Sequence, residues 1–177
     1  MQNRSIAIGT DRRSIYLPMA ALILTAALAV PSAAQQQVPF NGTFQGKDCV
    51  PVQNTGCSAV SSFTIDTSGK GIGMHMGEFS LIQQTNLATL NGSAHWVAAN
   101  GDSIDSTFVA FPDFSKESLG YVTVTETYTI TGGTGRFTGA QGSFILERTH
   151  LVAFSADGTH VTFGSFHGSI TSPGAAH

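Results

Sequence analysis

Short runs in which apolar and polar residues alternate recur through most of this 177-residue chain, and no stretch places apolar residues at i, i+3, i+4 and i+7. A period of two belongs to extended strands, whose successive side chains point to opposite faces. The runs cover 40–46, 59–66, 76–87, 92–99, 103–111, 119–131, 142–154 and 159–170, with Gly, Asn and Asp between them. The chain is therefore predicted to be all-β, a single domain of eight antiparallel strands in sequence order. A closed barrel is the expected architecture, because closure leaves no exposed sheet edge. A two-sheet sandwich is the alternative.

Composition narrows the function. Charged residues make up 11% of the chain, against about 25% in an average soluble domain. With 8 basic and 11 acidic residues there is no positive stripe, so no nucleic-acid partner is expected. The chain is also too apolar and too weakly charged to be disordered.

The first 34 residues read as a targeting signal. Arg12 and Arg13 precede an apolar run of 14 residues, Leu17 to Val30, and Pro31-Ser32-Ala33-Ala34 offers a small-residue cleavage site. A spanning helix needs about 20 residues, so no stable membrane anchor is expected. The chain divides into a signal peptide over 1–34 and a domain over 35–177, in a secreted or periplasmic protein. The mature part keeps 5 basic and 10 acidic residues, a net charge of −5. Cys49 and Cys57 stand eight apart across Pro51 and Gly56, and in an exported chain they read as one disulfide closing a surface loop. Asn41-Gly42-Thr43 and Asn91-Gly92-Ser93 are glycosylation sequons, relevant only in a eukaryotic secretory path.

Turn chemistry proposes register, and register decides which side chains share a face. Asn100-Gly101-Asp102 allows two registers. A three-residue loop gives the cleaner separation, with Ala94, Trp96, Ala98, Ile104 and Phe108 inside and His95, Asp105 and Thr107 outside. Asp157-Gly158 reads as a two-residue type I′ turn. That pairs Val152 with Phe163, His150 with Ser165 and Arg148 with His167, all on the inner face of Phe144 and Leu146. In 119–131, Tyr121 and the threonines 123, 125, 127 and 129 face out. Val122, Val124, Glu126, Tyr128 and Ile130 face in. If Tyr128 opposes Phe144, Glu126 opposes Leu146 and lies diagonal to Arg148, within reach of a long side chain.

Glu126, Arg148, His150 and His167 are thus the candidate catalytic residues, converging with Tyr128 inside the barrel. An enclosed Glu, an Arg and a His can share acid–base work, the Arg stabilising a developing oxyanion. Trp96, Phe108, Tyr128, Phe144 and Phe163 are the candidate ligand-binding residues. A structural reading stands beside this one, in which Glu126 and Arg148 form a satisfied buried pair without turnover. His150, His167 and Glu126 match no compact ligand spacing, so neither a metal nor a cofactor is expected. His95, His160 and His177 read as surface residues, and His75 as a rim residue.

The stretch Gly132-Gly133-Thr134-Gly135-Arg136-Phe137-Thr138-Gly139-Ala140-Gln141-Gly142 carries no phosphate-loop signature. It reads as a tight connection in which Phe137 plugs a barrel end and Arg136 pins the loop. After a Thr-rich strand it resembles the allene oxide cyclase-like barrels, which include plant allene oxide cyclases and dirigent proteins. The resemblance spans roughly 40–170, and the Asn100-Gly101-Asp102 hairpin is similar to that of secreted bacterial members. It implies an eight-stranded barrel with an apolar cavity, assembled as a homodimer or homotrimer, holding a small apolar or phenolic molecule for cyclisation or coupling. The plant cyclases' catalytic residues match no positions here, so no residue role follows from it. The sequence is read as an exported ligand-binding barrel with cyclase or isomerase potential. The alternative is a non-enzymatic interaction module whose interior polar residues only stabilise the fold.

Overall fold

A computed structural model describes residues 36–50 and 63–171. The signal segment 1–34, Cys57, His177 and the tail 172–177 lie outside the described residues. Eight strands, β1 (Gln37–Cys49), β2 (Thr64–Gly73), β3 (Gly77–Asn86), β4 (Asn91–Ala98), β5 (Ser103–Asp113), β6 (Tyr121–Gly133), β7 (Gln141–Phe154) and β8 (His160–Thr171), form a closed antiparallel barrel. Each strand pairs with its neighbours in sequence, and β8 closes on β1 with Phe40 opposite Gly168 and Asp48 opposite His160. The barrel, not the sandwich, is the architecture.

Strand β2 lies further along the chain than expected, over 64–73 rather than 59–66. Ser68-Gly69-Lys70-Gly71-Ile72-Gly73 has the composition of a loop. Its inward positions are glycines because large rings cross the barrel onto them. A Cβ at Gly71 would stand 2.4 Å from Phe79 Cζ and 2.2 Å from the Thr43 carbonyl oxygen. Gly42 lies in the same way under Phe166, and Gly92 under Phe108. Alternating small and large inward residues let a narrow barrel fill its interior.

Hairpin β4–β5 has the expected register. His95 opposes Asp105 on the outside, and Trp96 opposes Ile104 on the inside. Ala98 and Asp102 close a three-residue loop in which Gly101 takes φ 88°.

Hairpin β7–β8 departs from the expected register. Its loop is also three residues long, with the Ser155 N–H donating to the Thr159 carbonyl at 2.7 Å and Gly158 at φ 76°. A type I′ turn needs positive φ at both central residues, and Asp157 does not adopt it. Phe154 therefore opposes His160, and beyond an irregularity Arg148 opposes Gly164 rather than His167. An odd shift exchanges the faces of β8. His167 and Phe163 point out, while His160, Thr162, Phe166 and Ile170 point in.

One half of the interior is aromatic. Tyr128 and Phe144 stack with centroids 4.5 Å apart and planes 8° apart, Phe108 stacks on Tyr128 at 4.9 Å, and Trp96 meets both Tyr128 and Phe144 edge-on. Phe40, Phe79 and Phe166 continue the packing. Phe137 is wholly buried at the end carrying the β6–β7 connection. Arg136 pins that connection by donating from Nη2 to the Met76 carbonyl at 3.1 Å.

Candidate functional site

The other half of the interior is polar. It lies where β1, β3, β5 and β7 end and β2, β4, β6 and β8 begin. Glu126 opposes Leu146, and Arg148 sits diagonally across on β7. Arg148 Nε stands 3.1 Å from Glu126 Oε1, close in charge terms but misaligned for a hydrogen bond.

Sequence reasoning missed the principal partner of Arg148, which is Asp48. Arg148 Nη1 donates to both Asp48 oxygens at 2.9 Å. His150 Nδ1 lies 2.6 Å from Asp48 Oδ2, and Thr67 Oγ1 donates to Oδ1 at 2.6 Å. Asp48 is fully buried. The expected strand stopped at 46, two residues short of Asp48. The signal lay in the period of two along Phe40, Gly42, Phe44, Gly46 and Asp48, which shares one inward face. Gln83 was missed as well, although Phe79 and Leu81 set its parity. Its Nε2 donates to Glu126 Oε1 at 3.0 Å. Tyr128 Oη lies 2.7 Å from Gln83 Oε1 and 2.9 Å from Glu126 Oε2.

The two carboxyls behave oppositely. Burial disfavours both anions. At Asp48 the Arg148 charge and the hydrogen bonds from His150 and Thr67 outweigh burial and hold the group below its ordinary value. At Glu126 burial prevails over Arg148, Tyr128 and Gln83, and Asp48 adds repulsion, so this carboxyl is raised. Burial works against the Arg148 cation, yet Glu126 and Asp48 keep it protonated above its ordinary range. Burial, then Glu126, pushes the Tyr128 hydroxyl well above its own.

Histidines line the edge of this cluster. The His150 side chain is 17% exposed, and its ring lies 4.6 Å from that of His160. His160 is buried, not at the surface as expected, because the register of β8 turns it inward. Its Nδ1 bonds the Leu151 carbonyl at 3.0 Å. Burial, and then His150, lower its basicity. The half-exposed Phe154 packs on His160 at 4.1 Å. Phe154, His160 and His150 therefore form a rim of tilted rings in contact, leading to Asp48.

The structure thus brings Glu126, Arg148, His150 and Tyr128 together, with Asp48, Gln83 and Thr67 added. It leaves His167 and Phe163 on the outer face. Trp96, Phe108 and Phe144 face in as expected, but they pack around Tyr128 in the middle of the barrel. A depression of about 1260 Å³ is lined mainly by outward residues, among them Thr43, Lys70, Glu78, Thr125 and Phe163, together with Arg148 but not Glu126 or Tyr128. Cys49 ends β1, and its expected partner lies outside the described residues. Among the described residues no group of three or more His, Cys, Asp or Glu side chains is arranged to hold a metal ion.

No family model matches the chain, and no curated protein or solved structure does either.

Proposed function

We propose that this protein is an exported barrel of the allene oxide cyclase-like kind that binds a small apolar or phenolic molecule at its polar end. The observation carrying this reading is the chain of contacts from the part-exposed His150 through Asp48 and Arg148 to the buried Glu126 and Tyr128. Burying the Asp48 and Arg148 charges costs several kcal/mol per ion before pairing offsets it. Carboxyls pushed in opposite directions within one cluster are also what acid–base work requires. The rim of Phe154, His160 and His150 offers flat faces to a planar ligand, and Arg148 offers charge to its polar group. The same groups supply acid–base chemistry of the cyclase or isomerase class, with no cofactor called for. Assembly as a dimer or trimer belongs to this reading.

The test is native mass spectrometry of the full chain purified from an exporting host. The expected result is an added small-molecule mass, released on denaturation and lost in His150→Ala. A ligand-free mass, with no binding across a panel of phenolic and apolar compounds, would sink the proposal. A second reading, a non-enzymatic module, is favoured by the packed middle of the barrel, where Tyr128 stacks on both Phe108 and Phe144 and Trp96 meets Phe144 edge-on. The ligand-free outcome would support it.

A further inference from the structure

The contacts among Glu126, Tyr128 and Gln83 close a ring. Glu126 Oε2 meets Tyr128 Oη at 2.9 Å, Tyr128 Oη meets the Gln83 amide at 2.7 Å, and that amide meets Glu126 Oε1 at 3.0 Å. Three contacts need three hydrogens. Tyr128 has one, and the amide directs one into the ring whichever way it is turned. With an ionised Glu126, two oxygens would face each other in a buried site with no proton between them. All three residues are fully or almost fully buried, so no solvent stands by to supply it.

We infer that Glu126 is a neutral carboxylic acid in the folded barrel, its proton completing a hydrogen-bonded ring with Tyr128 and Gln83. Glu126 donates from Oε2 to Tyr128, Tyr128 donates to the Gln83 carbonyl, and the Gln83 amide donates to Oε1. The charges around the ring then balance. Asp48 on β1 is the anion and Arg148 on β7 the cation, with His150 Nδ1 2.6 Å from the same carboxylate. Arg148 Nε, 3.1 Å from Oε1, pulls toward the anion, but it is not aligned for a hydrogen bond and Arg148 Nη1 is committed to Asp48. The raised position of Glu126 agrees in direction.

Infrared spectroscopy of the full wild-type chain at neutral pH tests this directly. A protonated-carboxyl C=O band is expected that shifts in deuterated solvent and is missing from Glu126→Gln. Absence of the band in the wild type would overturn the inference, whether or not the variant folds. Stability gives a second readout, because Gln at 126 can donate to Tyr128 and accept from Gln83, keeping the ring closed. Glu126→Gln should therefore melt within a few degrees of the wild type. An ionised Glu126 paired with Arg148 would instead lose roughly 10 °C or more.

The pH dependence follows from the sign of the shift. A raised folded value means Glu126 favours folding below its ordinary 4.5 and loses that contribution as pH rises through the folded value. Above about pH 5 the wild type should lose its advantage over Glu126→Gln as pH rises. Asp48, held low, titrates below that range, and His160 contributes equally to both proteins. A constant difference between the two proteins would count against the inference. None of these readouts needs a ligand, so a ligand-free protein that keeps the band would sink the binding proposal alone.

Discussion

Asp48 and Arg148 set the electrostatics of the interior. Both are buried, they meet through one guanidinium nitrogen, and Asp48 also gathers His150 and Thr67. Removing one member of such a pair strands the other in a medium that cannot solvate it. Arg148→Met should cost about 3–5 kcal/mol in urea unfolding, the loss coming from the stranded Asp48. The double change Asp48→Leu with Arg148→Met should recover most of it, since two apolar side chains need no partners. A single variant losing under about 1 kcal/mol would show that the pair carries little of the coupling.

At the scale of the element, glycines decide which side chains fit. β2 places Gly71 beneath Phe79, and β8 exposes Gly168 to the Phe144 backbone and Cβ. Gly71→Ala forces its methyl group against Phe79 and the Thr43 carbonyl, so the strand must shift. A loss of about 1–3 kcal/mol is expected, in the range of overpacked cores. Gly132→Ala is the control, because nothing lies within 4 Å of a Cβ there and its φ is not positive. Equal melting temperatures for the two variants would refute this account of β2. Turns act at the same scale. Hairpins β4–β5 and β7–β8 use the same three-residue loop with a glycine in the left-handed region. Reading the second as a two-residue turn sent Phe163 and His167 to the wrong face.

For the whole molecule, closure makes each strand depend on two neighbours, with β1 and β8 sharing twelve register pairs. Unfolding should therefore be all-or-none. Trp96 is the only tryptophan and is fully buried among Phe79, Tyr128 and Phe144. Its fluorescence and the far-ultraviolet circular dichroism should lose signal at the same denaturant concentration. Separate midpoints would show that the aromatic half and the polar half melt independently. What the sequence determined by itself was the all-β class, the strand order, and the inward parity of Glu126, Tyr128, Phe144 and Arg148. Period-two alternation is a local property, and parity propagates along a strand without knowledge of its neighbours. It also carried the plug role of Phe137, because a glycine-flanked Phe between two strands has few places to go. What only the tertiary structure decided was the extent of β2, the register of β8 and the pairing of Arg148 with Asp48. A glycine looks like a loop until the ring that crosses onto it is known, and a polar Asp at a strand end looks solvated until the barrel closes. Asp48 and Arg148 stand 100 positions apart in the chain, and only closure of β1 onto β8 brings them within reach.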